Sequence, residues 1–246
     1  MRIKTPADLE GLRAAGRVCR LMLGAMRSAV EPGITTRELN AIGTRIMKSH
    51  GARSAPMLIY GFPAEICISV NDEVVHGIPS RRKLAAGDLV KLDVTVEKDG
   101  YMADAAITAP VGRVGARATA LAACAARAFR AALRVARAGN QVRDIGGAVE
   151  EEVARRGFRV VRGLNGHGIG RTIHEPPEVP NWLDPSATAR LTEGLVITIE
   201  PILAMGNGQS FEDEDGWTVR TADGSLAAHH EHTIVVGNGP PELLTA

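Results

Sequence analysis

The chain reads as a mixed α/β protein built from two related halves. Three observations predict this. Apolar residues recur at helical spacing in four separate stretches. Between Leu84 and Thr108 the period falls to two. The pattern of the first half then returns about 106 positions later.

The first helix starts at Thr5-Pro6-Ala7-Asp8, with Thr5 as N-cap, proline at the first helical position and an acid in the first turn. Leu9, Leu12, Gly16, Cys19, Leu23 and Met26 form its apolar stripe. Thr35-Thr36-Arg37-Glu38 is a capping box, Leu39, Ile42 and Ile46 follow on one face, and Gly51 can end that helix in the left-handed conformation. Val90, Leu92, Val94 and Val96 then alternate with polar residues, and Asp99-Gly100 is a hairpin turn leading into Tyr101–Thr108. Ala116–Ala138 is an alanine-rich helix, and Val142, Ile145, Val149 and Val153 mark another that ends at Gly157. The remainder predicts glycine-rich loops, a strand at Leu195–Glu200, an acidic loop at Gly206–Gly216 and one closing strand near Ala227–Val236.

The repeat is specific in its positions. Gly33, Arg37-Glu38-Leu39 and Gly51 recur as Gly139, Arg143-Asp144-Ile145 and Gly157. Gly87, Leu92 and Asp93 recur as Gly194, Ile199 and Glu200. We therefore expect a single domain over residues 1–246, with pseudo-symmetric halves of about 1–110 and 111–246.

Composition narrows the function. Lys plus Arg (29) nearly cancels Asp plus Glu (28), so no strong field draws nucleic acid or an anionic membrane. Three cysteines without CxxC spacing argue against a disulfide framework and suit a cytoplasmic protein. Only 3% of residues are aromatic, so any clustering of the eight rings carries information.

The acids sit in unusual places. Asp93 and Asp104 flank the Asp99-Gly100 turn, and a two-residue loop makes them diagonal neighbours on one face, with Cβ atoms about 7–8 Å apart. Glu200 ends an apolar strand just before Pro201, and Glu231 enters another. His167 lies in Asn165-Gly166-His167-Gly168-Ile169-Gly170, His174 follows seven residues later, and His76 precedes Gly77. Each alone has an ordinary explanation in a salt bridge or a turn. Together, two Asp, two Glu and one His suit a pair of divalent metals, manganese, iron or cobalt, rather than a structural zinc. Two such ions about 3.5–4 Å apart activate water for hydrolysis. The residues thus predict a metal-dependent hydrolase with two metals.

At this point a resemblance is visible. Val74-Val75-His76-Gly77-Ile78-Pro79, Leu92-Asp93-Val94-Thr95, Gly163–Arg171, Ile199-Glu200-Pro201 and Glu231-His232-Thr233-Ile234 resemble type I methionine aminopeptidases nearly end to end. The resemblance implies the pita-bread fold: two pseudo-symmetric halves with a curved, mostly antiparallel central sheet flanked by helices. It implies Asp93, Asp104, His167, Glu200 and Glu231 as ligands of two divalent ions (cobalt, manganese or iron(II)), with Asp104 and Glu231 bridging. It implies His76 and His174 as groups that contact substrate and stabilise the tetrahedral intermediate, and Glu200 as the proton shuttle. The methionine pocket would draw on Tyr60, Phe62, Cys67 and Trp217, with Ile59 and Ile173 nearby. The substrate would be the N-terminal methionine of nascent polypeptides with a small second residue, handled by a cytoplasmic monomer.

Some residues depart from the family. Ala105-Ala106 follows Asp104 where a hydroxyl residue is usual, and His230 precedes Glu231, where alternation turns it to the opposite face. Arg127, Arg130, Arg134 and Arg137 make a basic stripe, best read as a solvated face, with docking on ribosomal RNA as the alternative. Two other functions remain open: an X-prolyl peptidase, which usually carries an extra N-terminal domain for which helix signals from Thr5 leave no room, and a non-catalytic binding protein on the same scaffold.

Overall fold

The computed structural model describes residues 1–246. Helix α1 spans Pro6–Ser28 and α2 spans Thr36–Ser49. Both begin with reciprocal caps. The Thr5 hydroxyl accepts from the Asp8 N–H at 3.2 Å, and the Asp8 carboxylate accepts from the Thr5 N–H at 3.0 Å. Thr35 and Glu38 repeat this exchange at 3.1 and 2.8 Å. Each box satisfies two amides that a helix start otherwise leaves unpaired. Helix α1 buries Leu12, Met22 and Met26, each 1% exposed or less, and each such burial contributes about 1.5–3 kcal/mol. A short helix α3, Ala55–Tyr60, is capped by Ser54 and closed by Gly61 at φ +72°; the sequence reading had no element there. Helices α4 (Ala116–Val135) and α5 (Val142–Arg155) follow.

The repeat has a structural counterpart. Helices α2 and α5 are both 14 residues long, and their first residues are 106 apart. Gly33 donates to the Leu84 carbonyl and Gly139 to that of Leu191, at 2.7 and 2.9 Å. Gly33 and Gly139 take φ +98° and +97°, a conformation that is costly for residues with a Cβ.

The central sheet is antiparallel throughout. Its main path runs Arg53–Ser54, Leu89–Lys98, Tyr101–Pro110, Glu231–Val235, Val196–Ile199, Gly166–Gly168, Glu175–Val179, with Cys67–Val70 also on Leu89–Lys98. The hairpin register is Lys98 opposite Tyr101, Asp93 opposite Ala106 and Thr95 opposite Asp104. Asp99 and Gly100 both have positive φ (+51° and +81°), as a two-residue turn matching the strand twist requires. Helices α1 and α2 pack on this hairpin over an aliphatic core without a single aromatic ring. Helices α4 and α5 cover a second core that holds Phe129 and Phe158.

Three sequence expectations need correction. The closing strand is two strands, Ala227–His229 and Glu231–Val235, in different sheets. The cause is Pro201, which has no N–H to continue a ladder. There the chain leaves Val196–Ile199 for Ile202–Ala204, and its neighbour breaks at the same level, where the His230 N–H meets the Pro201 carbonyl at 3.2 Å. The acidic loop contains a strand, Ser210–Glu212, paired with Val219–Thr221. Helix α4 ends at Val135 instead of Ala138, because Arg137 bridges to Gly237.

One polar cluster ties three segments together beside the sheet. Asp8 Oδ1 accepts from the Tyr101 hydroxyl at 3.0 Å and from Arg171 Nη2 at 2.9 Å, while the Arg171 guanidinium lies 3.7 Å over the Tyr101 ring. The Lys4 N–H, helped by Thr5 and Tyr101 against the opposing effect of burial, holds Asp8 down at about 2 from an ordinary 3.8. A lowered acid stabilises the fold above its unfolded pKa, and that contribution fades as pH falls through the folded value. Asp8→Asn is therefore expected to lower the urea midpoint at pH 7. The gap from wild type should shrink between about pH 4 and pH 2. A gap constant with pH would remove Asp8 ionisation from the account.

Candidate metal centre

Register brings the acids together. Asp93 and Glu231 both stand opposite Ala106, one on each side, so only a methyl group separates the two positions across three strands. Asp104 is two residues from Ala106 on the same face, and its N–H donates to Thr233 Oγ1 at 2.9 Å. His232 pairs with Ile199, and one step along that register sets Glu200 against Glu231. Thr198 links the remaining pair: its hydroxyl donates to Glu200 Oε1 at 2.9 Å and accepts from the His167 N–H at 3.0 Å. The glycines around His167 serve close strand approach. A Cβ on Gly168 would collide with the carbonyls of Glu175 and Pro176.

The electrostatics are those of an excess of negative charge. Burial, then the charge of Asp104, pushes Asp93 well above the usual carboxylate range. Burial first, then Asp104 and other neighbouring acids, does the same to Glu200 and Glu231. Asp104 is raised to about 7, by burial that outweighs hydrogen bonds from Thr95 and the Ala105 N–H. No lysine or arginine pairs with any of the four. Asp104 Oδ1 and Glu231 Oε1 are buried without a hydrogen-bond partner. Such oxygens are costly unless protonated or bound to cations, and two divalent ions would balance four carboxylates.

His167 completes the set. Burial, with His174 nearby, holds it down at about 3, so it is neutral at pH 7. Its Nδ1–H donates to the Gly168 carbonyl at 3.0 Å, which leaves the Nε2 lone pair on the acid side, 3.5 Å from Glu200 Oε1. Fixing the tautomer in this way is what a metal-ligating imidazole needs. The ligand atoms of Asp104, His167 and Glu231 lie within 4.8 Å of one another. Oxygen donors with one imidazole fit divalent ions of the manganese, iron and cobalt kind.

These five residues line the floor of a cavity of about 540 Å³. Its apolar wall holds Phe62, edge-on to Trp217 with centroids 5.2 Å apart, together with Cys67 and Ile173. His76 and His174 reach the same cavity; His76 sits at φ +58°, a strained value for a residue with a Cβ. Tyr60 meets His174 Nδ1 at 2.5 Å. Ile59 is the one expected pocket residue outside the cavity. Pro56 and Tyr60, one helical turn apart on α3, face inward, which turns Ile59 to solvent. His230 points away and packs on Phe129, with ring centroids 5.4 Å apart.

Sequence reasoning missed His229 and the threonines. His229 also lines the cavity, with Nε2 3.4 Å from Glu231 Oε2. No local signal marked it, because the strand break at His230 that carries His229 to the acids depends on tertiary pairing.

The site belongs to a fold with known relatives. Residues 10–238 match Metallopeptidase family M24. The chain is 42% identical to methionine aminopeptidase 2 of Bacillus subtilis, covering 100% of this chain and 99% of that protein. It is 40% identical to methionine aminopeptidase of Clostridium perfringens, over 99% and 98% of the two chains. The crystal structure of methionine aminopeptidase from Thermotoga maritima superposes with a TM-score of 0.96 at 35% identity, covering 100% and 99%. Prolidase from Pyrococcus furiosus shares the pita-bread fold (TM-score 0.81, 22% identity), but the match covers 65% of that longer chain and 99% of this one.

Thr198→Val, which keeps shape and removes the hydroxyl, is expected to weaken divalent-metal affinity by about 10–100-fold, as loss of a group supporting metal ligands generally does. Calorimetric titration with manganese checks this. Unchanged affinity would show that Glu200 and His167 need no such support.

Proposed function

The chain belongs to metallopeptidase family M24, and from that premise we propose that it removes the N-terminal methionine of newly made proteins and peptides with a small second residue. The observation that carries the proposal is the juxtaposition of five metal-type donors with an apolar wall in one cavity. Its near full-length relatives bear the name of that activity.

Asp93, Asp104, His167, Glu200 and Glu231 would hold two divalent ions: manganese, cobalt or iron(II). When bound, these ions supply Lewis acidity and lower the pKa of water towards neutrality. The protein's own groups do the rest. Glu200 takes the proton of the attacking water on its carboxylate and returns it to the leaving amine nitrogen. His76 and His174 donate hydrogen bonds to the substrate carbonyl oxygen as it becomes tetrahedral. His174 must then carry its proton on Nε2. The Tyr60 hydroxyl lies against Nδ1, and by donating to it would select that tautomer. Phe62, Trp217 and Cys67 give an unbranched thioether an apolar, sulfur-tolerant wall.

Three buried free cysteines suit a reducing, cytoplasmic setting, and no helix is long and apolar enough to cross a membrane. Arg127, Arg130, Arg134 and Arg137 are exposed, as a solvated face requires; ribosome co-sedimentation of Arg→Glu variants distinguishes that from RNA docking.

Methionine release from Met-Ala-Ser is the direct assay. Activity should vanish with chelator and return with cobalt or manganese, while Gly-Pro and Arg-Pro peptides stay intact. Cleavage of the prolyl peptides alone would instead make this an X-prolyl enzyme, and no cleavage of any would favour a binding protein. Tyr60→Phe should lower kcat about tenfold, roughly one hydrogen bond's worth, with KM little changed. An unaltered kcat would mean that His174 finds its tautomer without Tyr60.

A further inference from the structure

His229 stands in the same relation to the acid cluster as the histidine already assigned there. His167 Nε2 lies 3.5 Å from Glu200 Oε1. His229 Nε2 lies 3.4 Å from Glu231 Oε2 and 3.9 Å from Glu200 Oε2. The ligand atoms of Glu200, His229 and Glu231 fall within 4.8 Å of one another, as do those of Asp104, His167 and Glu231.

The surroundings of the ring leave it without other employment. His229 is 2% exposed, and neither Nδ1 nor Nε2 has a hydrogen-bond partner. Buried imidazole nitrogens are ordinarily satisfied. The distance to Glu231 exceeds the usual 2.7–3.2 Å for N–H···O. It does match the gap of about 3.0–3.5 Å between two donors that bind one ion at about 2.0–2.2 Å each. The strand break at His230 produces this placement: residues 229 and 231 end and begin two strands of different sheets, and both reach the cavity.

We propose that His229 is a sixth protein donor of the metal centre, binding through Nε2 the ion held by Glu200 and Glu231. The proposal rests on the metallopeptidase reading above and deepens it. A second imidazole makes the donor set softer than four carboxylates and one histidine. It should raise affinity for cobalt and iron(II) more than for manganese.

The test is proton NMR of the cobalt(II)-loaded protein with 15N-labelled histidine. A cobalt-bound imidazole shows its opposite ring N–H as a strongly shifted resonance, and burial of His229 Nδ1 protects that proton from exchange. Two such resonances are expected in the wild type, and one in His229→Gln. Calorimetry should show cobalt affinity reduced at least tenfold in that variant, and manganese affinity reduced less. A single resonance in the wild type overturns the proposal without need of any variant. A protein that develops no cobalt absorption on titration overturns the metallopeptidase reading as well, so the two failures are distinct. Circular dichroism of metal-free His229→Gln separates a lost ligand from a lost fold; should it not fold, the wild-type resonance count decides.

Discussion

Four carboxylates held close together without a basic partner are the constraint around which this molecule is arranged. Asp93, Asp104, Glu200 and Glu231 come from three neighbouring strands and one strand end, and burial pushes each towards its protonated form, with neighbouring acids adding to this at Asp93, Glu200 and Glu231. Such a cluster is unfavourable in a folded core unless cations or protons neutralise it. The fold tolerates it because the charges lie on the floor of an open cavity and because the scaffold behind them is fully satisfied. Thr198 and Thr233 are completely buried and fully hydrogen-bonded, and they hold the backbone and side chains of the acids in place.

Small residues make the room. Ala106 stands between Asp93 and Glu231, where a larger side chain would fill the space that ions need. His229, with both ring nitrogens unpaired, faces the same acids. The scarcity of aromatic rings acquires a similar meaning. The core under α1 and α2 is aliphatic and alanine-rich, while Tyr60, Phe62 and Trp217 gather at the one cavity where a substrate side chain would lie.

Much of this was legible in the chain because local rules dominate there. Capping boxes at Thr5 and Thr35, the Asp99-Gly100 turn and the recurrence of Gly33 as Gly139 are all enforced by short-range sterics and hydrogen bonds. The hairpin register followed from turn length alone and placed Asp93 and Asp104 on one face. The misses share a different cause. Helix α3 is a single and a half turn, too short to show a period, so the outward direction of Ile59 could not be read. The closing strand looked continuous because no glycine or proline interrupts Ala227–Val236.

The sequence by itself determined the element types, the hairpin, the repeat and the residue types able to bind metal, since each depends on neighbours a few positions away. Only the tertiary structure decided that Pro201 and His230 break two strands at one level and that Pro56 and Tyr60, but not Ile59, face the cavity. It alone brought His229 to the acids with both nitrogens unpaired. These outcomes depend on which strands pair across distant segments. No local pattern encodes that pairing; it is set by how the two apolar cores close around a shared sheet.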